Sequence, residues 1–246
     1  MADLALAARG VTVRFGGLVA VDDVELEVRS GELVGVIGPN GAGKTTLFHA
    51  LSGVLEPSSG RLIIGGADLT GKPPHVFAAH GVARTFQTPR VFRDMTAEQN
   101  VRFGLEFAGR RRANGHDALG SAASILEFLG LADSAEIPAG GLTPARQRLL
   151  EIGMALGARP RILLLDEVAA GLTEAEVDAT AQLIRRVRDE LGLTVIWIEH
   201  AVRALMDCVE RVAVLHQGRK IADDLPQLVA RDPAVVEAYL GVEEAA

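Results

Sequence analysis

Residues 35–46 read Gly-Val-Ile-Gly-Pro-Asn-Gly-Ala-Gly-Lys-Thr-Thr, and no other stretch narrows the fold as far. The apolar run Leu33–Ile37 ahead of it has the length of a buried strand, and Thr45 through Gly53 behind it reads as a helix. Gly38, Gly43, Lys44 and Thr45 complete a G-x-x-x-x-G-K-[ST] pattern between the two. A strand, a glycine loop and a helix in that order make a phosphate cradle, because backbone N–H groups of the loop and of the first helical turn point at the same spot. Lys44 is expected to reach the β- and γ-phosphates of a nucleotide. The Thr45 hydroxyl is expected to ligate Mg2+.

The chain has 246 residues, 48% of them hydrophobic and 23% charged, enough for a full core in one large domain or a core with a subdomain. A formal net charge of −7 argues against a nucleic-acid partner, which would want a basic stripe. Cys208 is the only cysteine, so neither a disulfide framework nor a thiolate metal cluster is available; it is expected on an apolar helix face. No run reaches about 18 apolar residues, and Met1–Ala8 carries Asp3 and lacks a signal-peptide pattern. The expected location is the cytoplasm, with any membrane role exerted through a partner.

Along the chain, Ala8–Phe15 and Val24–Val28 read as strands of an antiparallel layer, separated after Phe15 by Gly16-Gly17. Arg61–Ile64 and Gly81–Phe86 read as further strands, the second leading to Gln87. From about Thr88 to Leu156 helical spacing takes over: Thr96–Phe107, Ser121–Leu129 and Pro144–Leu156 are expected helices. Arg110–Asp117 is an expected solvated loop and Pro138–Leu142 a linker. Arg161–Leu165 and Thr194–Ile198 are apolar strands on either side of an amphipathic Glu174–Glu190, and Val209–Leu215 with Lys220–Ala222 flank a Gln217-Gly218 hairpin turn. Pro226–Leu240 reads as two short helices broken at Asp232-Pro233. The expected organisation is an α/β core over 1–87 and 157–225, a helical subdomain over 88–156 and a helical tail over 226–246.

Phosphoryl transfer needs cancelled phosphate charge, a held Mg2+ and a positioned water. Asp166 and Glu167 end an apolar strand, where side chains project into the crevice that binds ligands. Asp166 is the candidate Mg2+ ligand, and Glu167 the candidate general base. His200 ends the next apolar strand and is a candidate for contact with the γ-phosphate and the water. Gln87 follows a strand end; its amide suits Mg2+ or a water, and equally a plain turn. Phe15, before a Gly-Gly turn, suits stacking on adenine, and equally core packing. His49, His75, His80, His116 and His216 have no such context.

Taken together these residues resemble the nucleotide-binding subunit of an ATP-binding cassette transporter over nearly the whole chain. The segments Arg14-Phe15-Gly16-Gly17, Arg84-Thr85-Phe86-Gln87, Phe92-Arg93-Asp94-Met95-Thr96, Ile198-Glu199-His200 and Glu237-Ala238-Tyr239-Leu240-Gly241 are similar to the ATPase of branched-chain (hydrophobic) amino acid importers; urea and amide importers share much of this. The resemblance implies a P-loop ATPase core with an antiparallel β layer and a helical signature subdomain. It also implies ATP and Mg2+ as ligands and a second ATPase subunit, sister or copy, with two ATP molecules between the pair. Transmembrane permease subunits and an external solute-binding protein complete the implied assembly. Phe15 would then stack on adenine, and Gly38, Pro39, Asn40, Gly41, Ala42, Gly43, Lys44, Thr45 and Thr46 would cradle phosphates. Gln87 would sense Mg2+, Ala170–Thr173 would cross the dimer interface, and His200 would be a switch.

The signature that usually reads Leu-Ser-x-Gly-Gln is here within Leu142-Thr143-Pro144-Ala145-Arg146-Gln147-Arg148. Thr143 keeps a hydroxyl that can cap a helix, and Pro144 fits the first helical position. Ala145 puts a Cβ where glycine would let the backbone approach the partner's phosphate, so the ATP site completed by this signature is expected to be weakened. Val168 stands where a proline usually follows the catalytic glutamate. Two other readings stay open: a weakly hydrolysing, mainly regulatory member of an asymmetric pair, and a cassette ATPase acting on DNA or ribosomes.

Overall fold

The computed structural model describes residues 3–107, 119–199 and 202–243; the Arg110–Asp117 stretch, His116 and His200 lie outside them. Two long strands, β1 (Leu4–Phe15) and β2 (Leu18–Arg29), open the chain and pair antiparallel from Leu4 opposite Arg29 to Phe15 opposite Leu18. β3 (Leu33–Ile37) is buried throughout and runs through the glycine loop into α1 (Lys44–Leu51). β4 (Ser59–Ile64) returns beside β1, and β5 (Ala67–Asp68) completes a four-stranded antiparallel sheet ordered β2-β1-β4-β5. After α2 (Pro74–Ala79) and β6 (Val82–Arg84) come three helices, α3 (Ala97–Phe107), α4 (Ala122–Phe128) and α5 (Pro144–Gly157). β7 (Ile162–Asp166), α6 (Glu174–Leu191), β8 (Thr194–Ile198), α7 (Val202–Cys208), β9 (Arg211–His216), β10 (Arg219–Asp224), α8 (Pro226–Val229) and α9 (Pro233–Glu243) follow.

The second sheet is ordered β10-β9-β3-β8-β7-β6. From β9 to β6 every neighbour is parallel, and only the β9–β10 hairpin is antiparallel. Side chains of the parallel strands alternate between two cores, as the strand period requires. Leu163, Leu165, Val195 and Trp197 face the helices α3 to α6. Ile162, Leu164, Ile196 and Ile198 face α1 and the antiparallel sheet. α1 is thus held between the two sheets, with Leu47, Phe48, Ala50 and Leu51 buried.

Local chemistry sets the helix ends. Thr143 caps α5 by accepting the Arg146 N–H at 3.3 Å, with Pro144 in the first turn. Thr173 and Glu176 form a capping box on α6, and Gly192 closes that helix at φ 61. α3 and α5 cross at backbone contact, because a Cβ on Gly104 would overlap the Met154 carbonyl oxygen.

The structure departs from the sequence expectation in a few places. β6 covers only Val82–Arg84, not Gly81–Phe86: the Thr85 N–H still donates to the Leu164 carbonyl at 2.9 Å, but from Phe86 on the backbone turns to a side-chain partner. The Thr85 hydroxyl accepts the Asp166 N–H at 3.1 Å, and the Phe86 N–H donates to Glu151 at 3.3 Å. β2 begins at Leu18 rather than Val24; Asp22 and Asp23 had masked its apolar alternation, and Asp23 has φ 52 at an irregular stretch of the pairing. The short α2 and α7 had not been anticipated. Cys208 is buried at the end of α7, where its thiol lies 3.2 Å from the Ala181 carbonyl.

Glu151 is a carboxylate inside the apolar face of α5, only 5% exposed. Burial pushes its pKa up to about 7, against the pull of the Arg90 and Phe86 amides and of the Arg90 and Arg84 charges. Between about pH 4.5 and 7 the folded chain therefore keeps a proton that the unfolded chain releases, and stability falls as pH rises. The loss across that window is expected to be roughly 3 kcal/mol. Glu151→Gln should flatten it when urea unfolding is measured as a function of pH; an unchanged slope would place the titration elsewhere. Gly104→Val should lower the unfolding free energy by about 1–3 kcal/mol in the same assay; no loss would mean that α3 and α5 part without cost.

Candidate functional site

The strand order gathers the candidate residues at one edge of the sheet. β3, β7 and β8 are adjacent and parallel, so the loops after Ile37, Asp166 and Ile198 leave from the same side. There, a cavity of about 530 Å3 is lined by the loop from Asn40 to Thr46, by Gln87 and by Glu167. Ala20, Gln217 and Gly218 close its other wall. A larger hollow, about 630 Å3, opens at the opposite, amino-terminal ends of these strands, and none of the candidate residues lines it.

In the glycine loop, Gly41 and Gly43 adopt φ 76 and φ 98, values that side-chain-bearing residues rarely take. α1 starts directly at Lys44, and no side chain caps its first turn. That turn and the loop therefore present backbone N–H groups in the arrangement that binds anions. The Lys44 ammonium is 5% exposed and donates to the carbonyls of Gly38 at 2.6 Å and Pro39 at 3.0 Å. Burial lowers its pKa, and the nearby Glu167 and Asp166 carboxylates oppose that shift. Tyr239 of α9 hydrogen-bonds the Gly38 backbone, which partly offsets the upward push that burial gives its phenol.

Asp166 ends β7 and is 2% exposed. Its Oδ2 accepts from Arg84 Nη2 at 3.1 Å, and Arg84 in turn donates to the Ser52 hydroxyl at 2.9 Å. Burial raises the Asp166 pKa against the pull of Arg84, and Glu167 adds to the rise. Its Oδ1 is buried with no hydrogen-bond partner among the described residues. A buried carboxylate oxygen without a donor suits a hard cation or its water, so the residues present fit Mg2+.

Glu167 follows in a left-handed conformation, φ 52, with its N–H donating to the Ile198 carbonyl at 3.0 Å. A non-glycine residue there carries backbone strain, which persists only where surroundings dictate it. Its Oε2 accepts from Gln87 Nε2 at 2.7 Å, which joins two of the candidate residues directly. Val168 behind it is buried at 3% exposure. Glu199, 1% exposed, accepts the Ala169 N–H at 2.6 Å and so ties the segment after Glu167 to the end of β8.

Lys44, Thr45, Gln87 and Glu167 thus meet at one cavity, with Asp166 close enough to Lys44 and Glu167 to act on their charge. Phe15, 51% exposed at the tip of β1, is outside the cavity lining. Thr143 and Ala145 are also outside it, at the start of α5. His200 is outside the described residues. Sequence reasoning missed Arg84, Thr85, Glu151 and Glu199 as members of the site's frame. The readable signal was Glu151, a lone carboxylate in the otherwise apolar run Leu149–Gly153.

The chain is similar in sequence and fold to known proteins. A profile described as ABC transporter matches residues 21–170, and one described as branched-chain amino acid ATP-binding cassette transporter matches residues 219–245. The high-affinity branched-chain amino acid transport ATP-binding protein BraF of Pseudomonas aeruginosa is 40% identical over 248 residues, covering 96% of this chain and 97% of its own. LivG of Escherichia coli, with the same description, is 40% identical over 250 residues with the same coverage. The crystal structure of an ATP-binding cassette of an ABC transporter in its ADP conformation is 30% identical. It superposes with a TM-score of 0.85 over 97% of this chain and 99% of that one. The chain belongs to the ABC transporter family, as an ATP-binding and ATP-hydrolysing subunit closely related to the branched-chain amino acid importer ATPases.

Proposed function

We propose that this chain hydrolyses ATP to drive import of branched-chain or other hydrophobic amino acids. In this reading it works on the cytoplasmic face of a membrane, held there by two permease subunits and paired with a second ATPase subunit. An external solute-binding protein delivers the cargo. Among the described residues no helix is long and apolar enough to cross a membrane, so the contact with the bilayer runs through the permease. The observation that carries the proposal is the convergence of Lys44, Gln87 and Glu167, from three separate chain segments, on one cavity beside an N–H-lined loop. The amino acid cargo is supported by the relatives named for branched-chain amino acid transport.

The roles follow from the chemistry of each group. Backbone N–H groups of Gly38, Pro39-Asn40-Gly41-Ala42-Gly43 and Lys44-Thr45-Thr46 (the proline excepted) hold the phosphates, and the Lys44 ammonium offsets their charge. The Thr45 hydroxyl, Gln87 and Asp166 hold Mg2+, which when bound neutralises phosphate oxygens. Glu167 accepts the proton of the attacking water as the bond between the γ-phosphorus and the bridging oxygen breaks, and ADP and phosphate leave. Gln87 steadies the carboxylate it donates to. Phe15 stacks on adenine, and its exposure at a strand tip suits that task. His200 contacts the γ-phosphate. The α/β core spans 1–87 and 157–225, the helical subdomain 88–156 and the tail 226–246.

A second reading concerns the pair rather than the chain. The first turn of α5 carries Pro144 and Ala145 where a close approach to the partner's ATP would favour glycine, and Arg146 is engaged by Asp133 and Ser134. We infer a heterodimer with unequal sites, in which this chain's own glycine loop is completed by a sister's intact signature. Ala145→Gly should raise ATP turnover of the assembled pair by up to about twofold, since restoring a site that a misplacement near 1 Å slows on the order of 10²-fold adds a second working site to one already intact; unchanged turnover would remove the case for asymmetry.

Glu167→Gln should reduce turnover by about 10²-fold or more while ATP binding persists, and should abolish uptake of labelled leucine in cells carrying the transporter. Turnover at the wild-type rate would overturn the hydrolytic assignment. Intact leucine uptake with turnover abolished would overturn the assigned cargo.

A further inference from the structure

One carboxylate fastens the helix that starts at Thr143 to the loop that carries Gln87. Glu151 stands two turns into α5. Its Oε1 accepts the Arg90 N–H at 2.9 Å, and its Oε2 accepts the Phe86 N–H at 3.3 Å. These two amides bracket Gln87 on either side along the chain. Gln87 in turn donates to Glu167 at 2.7 Å. The path from α5 to Glu167 therefore runs through three hydrogen bonds and the loop backbone between them.

A leucine at position 151 would fill the same apolar space without the cost of burying a charge. What the carboxylate adds is directional: two acceptor oxygens that fix the loop backbone relative to one helix. We propose that Glu151 is a positioning residue that sets where Gln87 stands against Glu167 according to where α5 sits. It does not line the cavity, and acts only through the loop backbone. A displacement of α5, for instance when the start of that helix meets a partner, moves the Phe86 and Arg90 amides and carries Gln87 with them. This inference rests on the reading of Glu167 as the group that works on water. The hold of Glu151 on the loop can nevertheless be measured without turnover.

The test is amide hydrogen exchange on the full chain at pH 8, comparing wild type with Glu151→Gln. Exchange at Phe86 and Arg90 should quicken by about tenfold, the consequence of replacing one of the two acceptor oxygens with an NH2 group that faces a backbone N–H as a second donor. The amides of α1 should keep their protection. Equal rates at Phe86 and Arg90, or the same acceleration in α1, would overturn the proposal, the second because it marks general destabilisation. In ATPase assays the same variant should lose about tenfold in kcat with the ATP Kd unchanged. A loss confined to Kd would overturn it too. If Glu167→Gln hydrolyses ATP normally, the reading of Glu167 fails, while the exchange result still decides whether Glu151 holds the loop. Should Glu151→Gln not fold, Glu151→Asp keeps the charge on a shorter arm; faster exchange confined to residues 86–90 supports the proposal, and unchanged exchange overturns it.

Discussion

Five parallel strands buried on both faces leave their polar business a single outlet, the strand ends. β3, β7 and β8 are buried along their length, and each leads into chemistry: a glycine loop after Ile37, a carboxylate pair at Asp166-Glu167, and Glu199 just past Ile198. Parallel pairing puts these three ends side by side, so the site is assembled by the same hydrogen-bond ladder that builds the sheet. The helices supply the rest. α1 continues the glycine loop, and α5 reaches across to the loop after β6.

Much of this could be read from the chain because the informative groups are local in sequence. The glycine loop, the strand before it and the helix after it occupy consecutive residues, as do Leu165, Asp166 and Glu167. Thr143 and Pro144 announced the start of α5 for the same reason. The frame around the site was harder to see because its partners are distant. Arg84 and Asp166 are separated by 82 positions, Phe86 and Glu151 by 65, and Gln87 and Glu167 by 80. No periodicity reports such pairs. The short elements fell below the reach of pattern as well: α7 has seven residues and α2 six, less than two helical turns each. β6 was overextended because Thr85 and Phe86 look like strand residues, yet one serves Asp166 and the other is served by Glu151.

Two buried carboxylates outside the reactive group do related work on either side of it. Glu199 holds the backbone just after Glu167, and Glu151 holds the backbone that flanks Gln87. Both accept main-chain N–H groups, so each fixes a stretch of loop backbone with charge-assisted hydrogen bonds. The Arg84–Asp166 pair is of a different kind. It neutralises a buried acid while leaving Asp166 Oδ1 without a donor among the described residues.

The left-handed backbone at Glu167 has an evolutionary corollary. Glycine would relieve that conformation but carries no carboxylate; aspartate tolerates it better than glutamate but falls one methylene short of Gln87. Glutamate is the residue with sufficient reach, and it is ill suited to the torsion it must hold. Position 167 is thus pinned by two opposing demands, and the tolerance of its neighbours to change is limited by their duty to keep that uncomfortable turn in place.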